Sequence, residues 1–153
     1  MIIYGGKKRG TLIGISDDVG KYTLFLSIVD EELSIVDFMQ GISQPRVRDG
    51  ENILDLAEYD GKYINIQITA ERDAVTKVYI NGTLKLTFNS GHDIVENENV
   101  CVGNLRANGS LRYFGNIYDF ALYGEILTDE EVAQNWNYVK NELGINEAGE
   151  KVN

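Results

Sequence analysis

The chain has 153 residues, the size of one domain, and at that length it can bury roughly 70% of its unfolded surface without disulfide or metal staples. Fourteen basic residues stand against 24 acidic ones, a net charge of −10, so like-charge repulsion disfavours nucleic acid and anionic membranes as partners. A hydrophobic fraction of 43% excludes wholesale disorder. No apolar run is long enough to span a bilayer, no signal-peptide core follows Lys7–Arg9, and a single cysteine, Cys101, excludes an internal disulfide framework.

Sixteen glycines, one proline and nine tyrosines point to sheets joined by tight turns. Tyr22, Leu24, Leu26 and Ile28 alternate with Thr23, Phe25 and Ser27, the period of a strand. Val29-Asp30-Glu31 turns the chain and Leu33–Phe38 returns it; Gln44–Asn52, with Pro45, reads as a loop. Tyr63–Thr69 alternates most cleanly, with Ile64, Ile66 and Ile68 facing a core and Tyr63, Asn65 and Gln67 on the opposite face.

A hairpin follows around Asn81-Gly82. A two-residue loop would set Val78 opposite Lys85 and mix the faces. An odd loop, Ile80-Asn81-Gly82, sets Val78 opposite Leu84 and Lys77 opposite Lys85. The expectation is therefore a three-residue loop with left-handed Gly82 in a bulge, and a wet face carrying the two lysines. Val100–Gly103 and Leu111–Phe114 read as short strands, and Asn116–Tyr123 as a long one with aromatic residues on both faces.

The convincing helix comes last. Thr128 and Glu131 form a capping box, Asp129 and Glu130 suit the positive end of the helix dipole, and Leu127 with Val132 makes a hydrophobic staple. Val132, Trp136, Val139 and Leu143 form the buried stripe, and Gly144 is the stop. One domain over 1–145 with a frayed tail over 146–153 is the expected organisation.

At this point several motifs become recognisable together. Val78-Tyr79-Ile80-Asn81-Gly82-Thr83-Leu84 resembles a hairpin of the concanavalin A-like, laminin-G-like jelly rolls. Tyr63–Thr69 is similar to the strand before it, Cys101-Val102-Gly103 to a short later strand, and Gly115–Tyr123 through Leu127–Val132 to the closing pattern. The ordered set covers about residues 60 to 135. It implies an all-β fold: a concanavalin A-like antiparallel β-sandwich (jelly roll) with one C-terminal helix. Gln134–Ile145 further resembles a helix pattern of bacteriophage members, which implies a virion or extracellular location. Family members usually carry a strand or two upstream of the Leu12–Ile15 region. Here Ile2–Tyr4 must serve as a minimal substitute, or a neighbouring subunit completes the sheet.

The family hosts lectins, adhesion modules, glycanases and virion proteins, so function must be read from sites. Retaining glucanases of this fold place carboxylates on alternate positions of one strand. No such run occurs; Glu96 and Glu98 lie in a polar loop and Asp119 stands alone. His92 has no second histidine for a triad or zinc site, and Cys101 lacks a nucleophile's partner.

Glycan contact needs aromatic platforms and planar hydrogen-bonding groups. Tyr63, Asn65, Gln67 and Tyr79 could share a wet sheet face; Asn104, Arg106, Asn108, Arg112 and Tyr113 could form a rim group. Laminin-G-like domains often bind Ca2+ at the rim, and Asp17, Asp18, Asp93 and Asn97 could supply its oxygens. The expectation is a non-catalytic module for adhesion, glycan binding or assembly. Its partners are glycans or other virion proteins, and it is an oligomer or part of a larger assembly. The competing class is a small carbohydrate-active enzyme or a secreted bacterial carbohydrate-binding module.

Overall fold

The alternating segments pair into two antiparallel five-stranded sheets in a computed structural model that describes residues 1–4, 10–16, 22–29, 32–37, 53–71, 74–89, 99–104 and 112–152. In chain order the strands are β1 (Ile2–Tyr4), β2 (Gly10–Ser16), β3 (Tyr22–Val29), β4 (Glu32–Asp37), β5 (Ile53–Asp55), β6 (Tyr63–Ala70), β7 (Val75–Ile80), β8 (Thr83–Asn89), β9 (Asn99–Val102) and β10 (Ile117–Asp119). A short 3-10 turn, Ala57–Tyr59, precedes β6, and the helix α1 spans Asp129–Leu143. One sheet runs β10-β1-β6-β7-β8 and the other β5-β4-β3-β2-β9. The described residues form an all-β sandwich with one C-terminal helix.

The core lies between the sheets. Ile3, Ile64, Ile66, Val78 and Ile80 from the first meet Leu12, Ile13, Ile15, Leu26 and Ile28 from the second. Thr11 is fully buried among them, and its hydroxyl lies 3.2 Å from the buried Ser27 hydroxyl, so each supplies the other's partner.

The first sheet is buried on both faces where α1 crosses it. Trp136, Val139 and Ile145 pack with Ile2 on its outer side. Each such side chain taken from water is worth about 1.5–3 kcal/mol. This explains the apolar run at the start of the chain: Ile3 faces the sandwich core and Ile2 faces the helix. β1 sits between β10 and β6, so Ile2–Tyr4 is the substitute strand. Met1 extends the ladder: its nitrogen donates to the Ile66 carbonyl at 3.0 Å, and Ile66 N–H donates back at 2.8 Å.

The helix begins and ends where its caps dictate. Glu131 N–H donates to the Thr128 hydroxyl at 3.2 Å, Thr128 N–H donates to Glu131 Oε2 at 2.8 Å, and Gly144 closes the helix at φ 59°.

Four expectations are corrected. The hairpin loop has two residues: Asn81 (φ 51°) and Gly82 (φ 72°) form a type I′ turn closed by Ile80 opposite Thr83. The face mismatch is relieved farther along, where Tyr79 pairs Leu84 but Val78 pairs Leu86, leaving Lys85 as the extra residue of a bulge. Lys77 therefore faces Thr87, not Lys85.

Strand β10 is shorter than expected, because β1 has three residues and offers Phe120 to Tyr123 no ladder. At 112–114 there is no strand, only an isolated parallel bridge from Arg112 to Thr11. The tail over 146–152 is not frayed. Tyr63 N–H donates to the Gly149 carbonyl at 2.8 Å, Val152 N–H to the Gly144 carbonyl at 3.0 Å, and Ile145 bridges Lys151. The expected loop over 44–52 lies outside the described residues.

Candidate functional site

The first group singled out for glycan contact does share one sheet face. Ile64 and Ile66 turn inward on β6, which sends Tyr63, Asn65 and Gln67 outward, with Tyr79 beside them on β7. That face is not wet; α1 lies over it. Gln67 Nε2 donates to Asn65 Oδ1 at 2.7 Å and to the Val132 carbonyl of the helix at 3.0 Å. Tyr79 is 2% exposed and its hydroxyl donates to Asp129 Oδ1 at 2.6 Å, an oxygen shared with Lys77 Nζ at 2.8 Å. Lys77, then Tyr79, holds the Asp129 carboxyl below its ordinary range. Burial, aided by the Asp129 carboxylate, pushes the Tyr79 phenol up.

Asn65 ties three segments together. Its N–H donates to Asn81 Oδ1 at 2.8 Å, its carbonyl accepts from Asn81 N–H at 2.9 Å, and its Nδ2 donates to the Met1 carbonyl at 3.4 Å. The Tyr63 and Tyr118 rings meet in an edge arrangement with centroids 5.2 Å apart, and Lys151 Nζ lies 5.4 Å from the centre of Tyr63. These polar groups hold the fold together. A ligand would have to displace the helix to reach Asn65 or Tyr79.

In the rim group, Tyr113 N–H donates to the Gly103 carbonyl at 2.9 Å, which brings the Asn104 and Arg112 segments side by side. Arg112 is exposed, but Tyr113 is a core residue. Burial pushes its phenol up to about 12, and among the described residues neither its hydroxyl nor Asn104 Oδ1 has a hydrogen-bond partner. Gly10 (φ 119°) makes this approach possible, since a Cβ there would lie 2.2 Å from the Arg112 carbonyl oxygen. Arg106 and Asn108 lie outside the described residues. So do all four calcium candidates, Asp17, Asp18, Asp93 and Asn97, together with His92, Glu96 and Glu98. Among the described residues no three of His, Cys, Asp or Glu gather as a metal site.

Two surfaces lie outside the groups singled out for ligand contact. One is the apolar surface of the segment running through and after β10: Phe114, Tyr118, Leu122, Tyr123 and Ile126 are each 48–65% exposed. The sequence signal was present, since Tyr118, Leu122 and Tyr123 fall in the segment read as a two-faced strand. The other lies where the tail meets the hairpin. Glu147 Oε2 accepts from Trp136 Nε1 at 2.9 Å and its other oxygen pairs with Lys140. Lys140, then Trp136, holds the Glu147 carboxyl below its ordinary range.

No protein-family model matches the sequence, and comparison with curated proteins gives no match. Among solved structures, the receptor-binding domain of botulinum neurotoxin type G is similar over 87% of this chain and 32% of its own, with a TM-score of 0.54 and 18% identity. An S-layer domain-containing protein from Clostridium thermocellum matches over 84% of this chain and 63% of its own, with a TM-score of 0.36 and 15% identity. The chain thus spans about a third of the toxin domain's length, and that likeness is one of fold. No described helix is long and apolar enough to cross a membrane.

Proposed function

We propose that the chain is a non-catalytic binding module of the concanavalin A-like type, working in adhesion or assembly, and that it makes contact through the open edge at β10. The observation that carries this is the run of exposed Tyr118, Leu122, Tyr123 and Ile126 on and after a sheet-edge strand. Large apolar side chains massed at an edge mark an interaction surface, and an unpaired strand is a template for another chain. The occupant favoured here is a second copy.

The receptor-binding role named for the toxin domain supports a binding module. Among the described residues, Asp129, Glu131, Glu147 and Glu150 are held below their ordinary range by hydrogen bonds within the fold, so these four are not poised as general acids, which need the carboxyl pushed up. A virion component, as capsid decoration, fibre or tail part, is the setting the Gln134–Ile145 motif supports.

Sedimentation velocity across micromolar concentrations tests the edge. The chain should associate, with amides along 117–123 protected in the associated form, and Leu122→Asp with Ile126→Asp should give a monomer of unchanged Tm. A monomer at every concentration, with fast amide exchange along 117–123, would overturn the reading. A glycan array with and without chelator separates lectin activity and the calcium proposal from assembly.

A further inference from the structure

The C-terminal tail and the β10 edge meet on one side chain, Tyr63. It starts β6 and lies half-buried against the cluster of Ile2, Trp136, Val139 and Ile145. Its ring and that of Tyr118 on β10 stand at 61° with centroids 5.2 Å apart. From the tail, Lys151 Nζ lies 5.4 Å from the centre of the Tyr63 ring, and the Gly149 carbonyl accepts from Tyr63 N–H at 2.8 Å.

The tail is tied into that place at several points. Asn146 N–H donates to the Glu150 carbonyl at 2.9 Å and Gly149 N–H to the Asn146 carbonyl at 3.0 Å, which folds it into a tight turn. Lys151 Nζ also donates to the Leu143 carbonyl at the end of α1, Glu147 accepts from the Trp136 indole at 2.9 Å, and Glu150 pairs with Lys62 at 3.4 Å. Gly149 fits where no other residue would: its φ is 81°, and a Cβ there would lie 2.0 Å from the Tyr63 carbonyl oxygen.

Tyr118 is 48% exposed and belongs to the apolar surface assigned above to a second copy. A ring free to change rotamer on an edge strand must be immobilised when a partner docks, which weakens binding. The Tyr63 contact holds Tyr118 before the partner arrives, and the tail holds Tyr63. We infer that the docked tail, acting through Tyr63, sets the strength of self-association at β10. Tyr63 is a positioning residue for Tyr118, and Gly149 and Lys151 act through it. This rests on the reading of the β10 edge as the contact surface.

The test undocks the tail without changing any residue of that surface. In Gly149→Ala the Tyr63 amide should lose its protection from hydrogen exchange. In 13C-tyrosine-labelled protein the Tyr118 ring resonances should move toward those of Tyr63→Leu. The self-association Kd from sedimentation velocity should rise about tenfold, because each of two copies loses one held ring. Lys151→Met keeps the apolar stem and drops the cation, so it should stay folded and give a smaller rise in the same direction. Tyr63→Leu should weaken association as much as Gly149→Ala, and the double variant no further, since both act through one ring.

An unchanged Kd in Gly149→Ala, with the Tyr63 amide freed, would overturn the inference while leaving the β10 edge in place. So would effects of Gly149→Ala and Tyr63→Leu that add, which would mean that the tail itself touches the second copy. Should Gly149→Ala not fold, an unmoved Tyr118 ring and unmoved Kd in Lys151→Met would overturn it. A wild type that is monomeric at every concentration would overturn the β10 reading and this inference with it.

Discussion

Gly82 lies directly beneath the indole of Trp136: a Cβ at position 82 would sit 2.9 Å from Trp136 Cδ1. The turn of the hairpin is thus part of the helix-docking surface. Gly82→Ala meets two penalties, a left-handed backbone (φ 72°) and the overlap with the ring. It should cost about 2 kcal/mol. Gly124, where an added Cβ would meet nothing within 4 Å and the φ is ordinary, is the control; Gly124→Ala should change stability by no more than about 0.5 kcal/mol. Urea unfolding followed by Trp136 fluorescence reads both variants. Equal midpoints for the two would mean that the turn does not bear the indole.

The Tyr79–Asp129 contact makes the sheet face structural. Tyr79→Phe removes one donor to a carboxylate and should lower stability by about 1 kcal/mol. Gln67→Ala removes the links to Asn65, Asn135 and the Val132 carbonyl and should cost about 1–2 kcal/mol. Neither should alter any glycan-array signal once Tm is matched. A glycan signal lost in Gln67→Ala at full folding would restore the sheet face as a site.

What the sequence made legible follows from how local each signal is. The Thr128–Glu131 box and Gly144 stop act within one turn of helix, and Ile64–Ile66 alternation within one strand, so both read correctly. Asn81-Gly82 announced a hairpin, but its register depended on contacts elsewhere: Asn65 grips the Asn81 side chain and Trp136 packs on Gly82. Parity then had to be restored by a bulge at Lys85. The wet face was misread because polarity at Asn65 and Gln67 looks the same whether the partner is water or a helix carbonyl. The tail was misread for the same reason, since nothing near Gly149 in sequence reveals that its carbonyl caps Tyr63.

Among the described residues, two buried hydroxyls find no hydrogen-bond partner. Thr76 is fully buried on β7 with Oγ1 unpartnered, and Tyr113 is buried at the rim with its hydroxyl unpartnered. Thr76→Val keeps the shape and removes the unsatisfied group, so it should stabilise by about 1 kcal/mol. Tyr113→Phe should be neutral or stabilising for the same reason. In the wild type, Tyr113 should still be un-ionised when ordinary phenols, near 10, have titrated, because burial lifts it to about 12. A raised phenol pKa contributes stability that is whole below 10 and is lost as pH climbs through the folded value. Absorbance titration in the near ultraviolet checks the late phenol, and the Phe variant should lack it. Destabilisation in both variants would mean that the hydroxyls do have partners.

Glu147 gives the tail an acid limit. Its carboxylate is held down by Lys140 and by the Trp136 N–H, so the folded state binds its proton less readily than the unfolded chain. A depressed carboxyl contributes stability that is whole above the ordinary glutamate value of 4.5 and is lost as pH falls through the folded value. Falling pH also relieves repulsion in a chain of net charge −10, so the total Tm profile mixes opposing trends, and a single-site comparison is needed. Glu147→Gln removes the titration while leaving an amide oxygen to accept from the indole. The wild type should be the more stable protein at pH 7, and the Tm gap should close as pH falls below 4.5. The Trp136 emission maximum should shift toward that of the variant over the same window. A Tm gap that stayed constant from pH 7 to below the carboxylate range would show that Glu147 stabilises the tail by shape and not by charge.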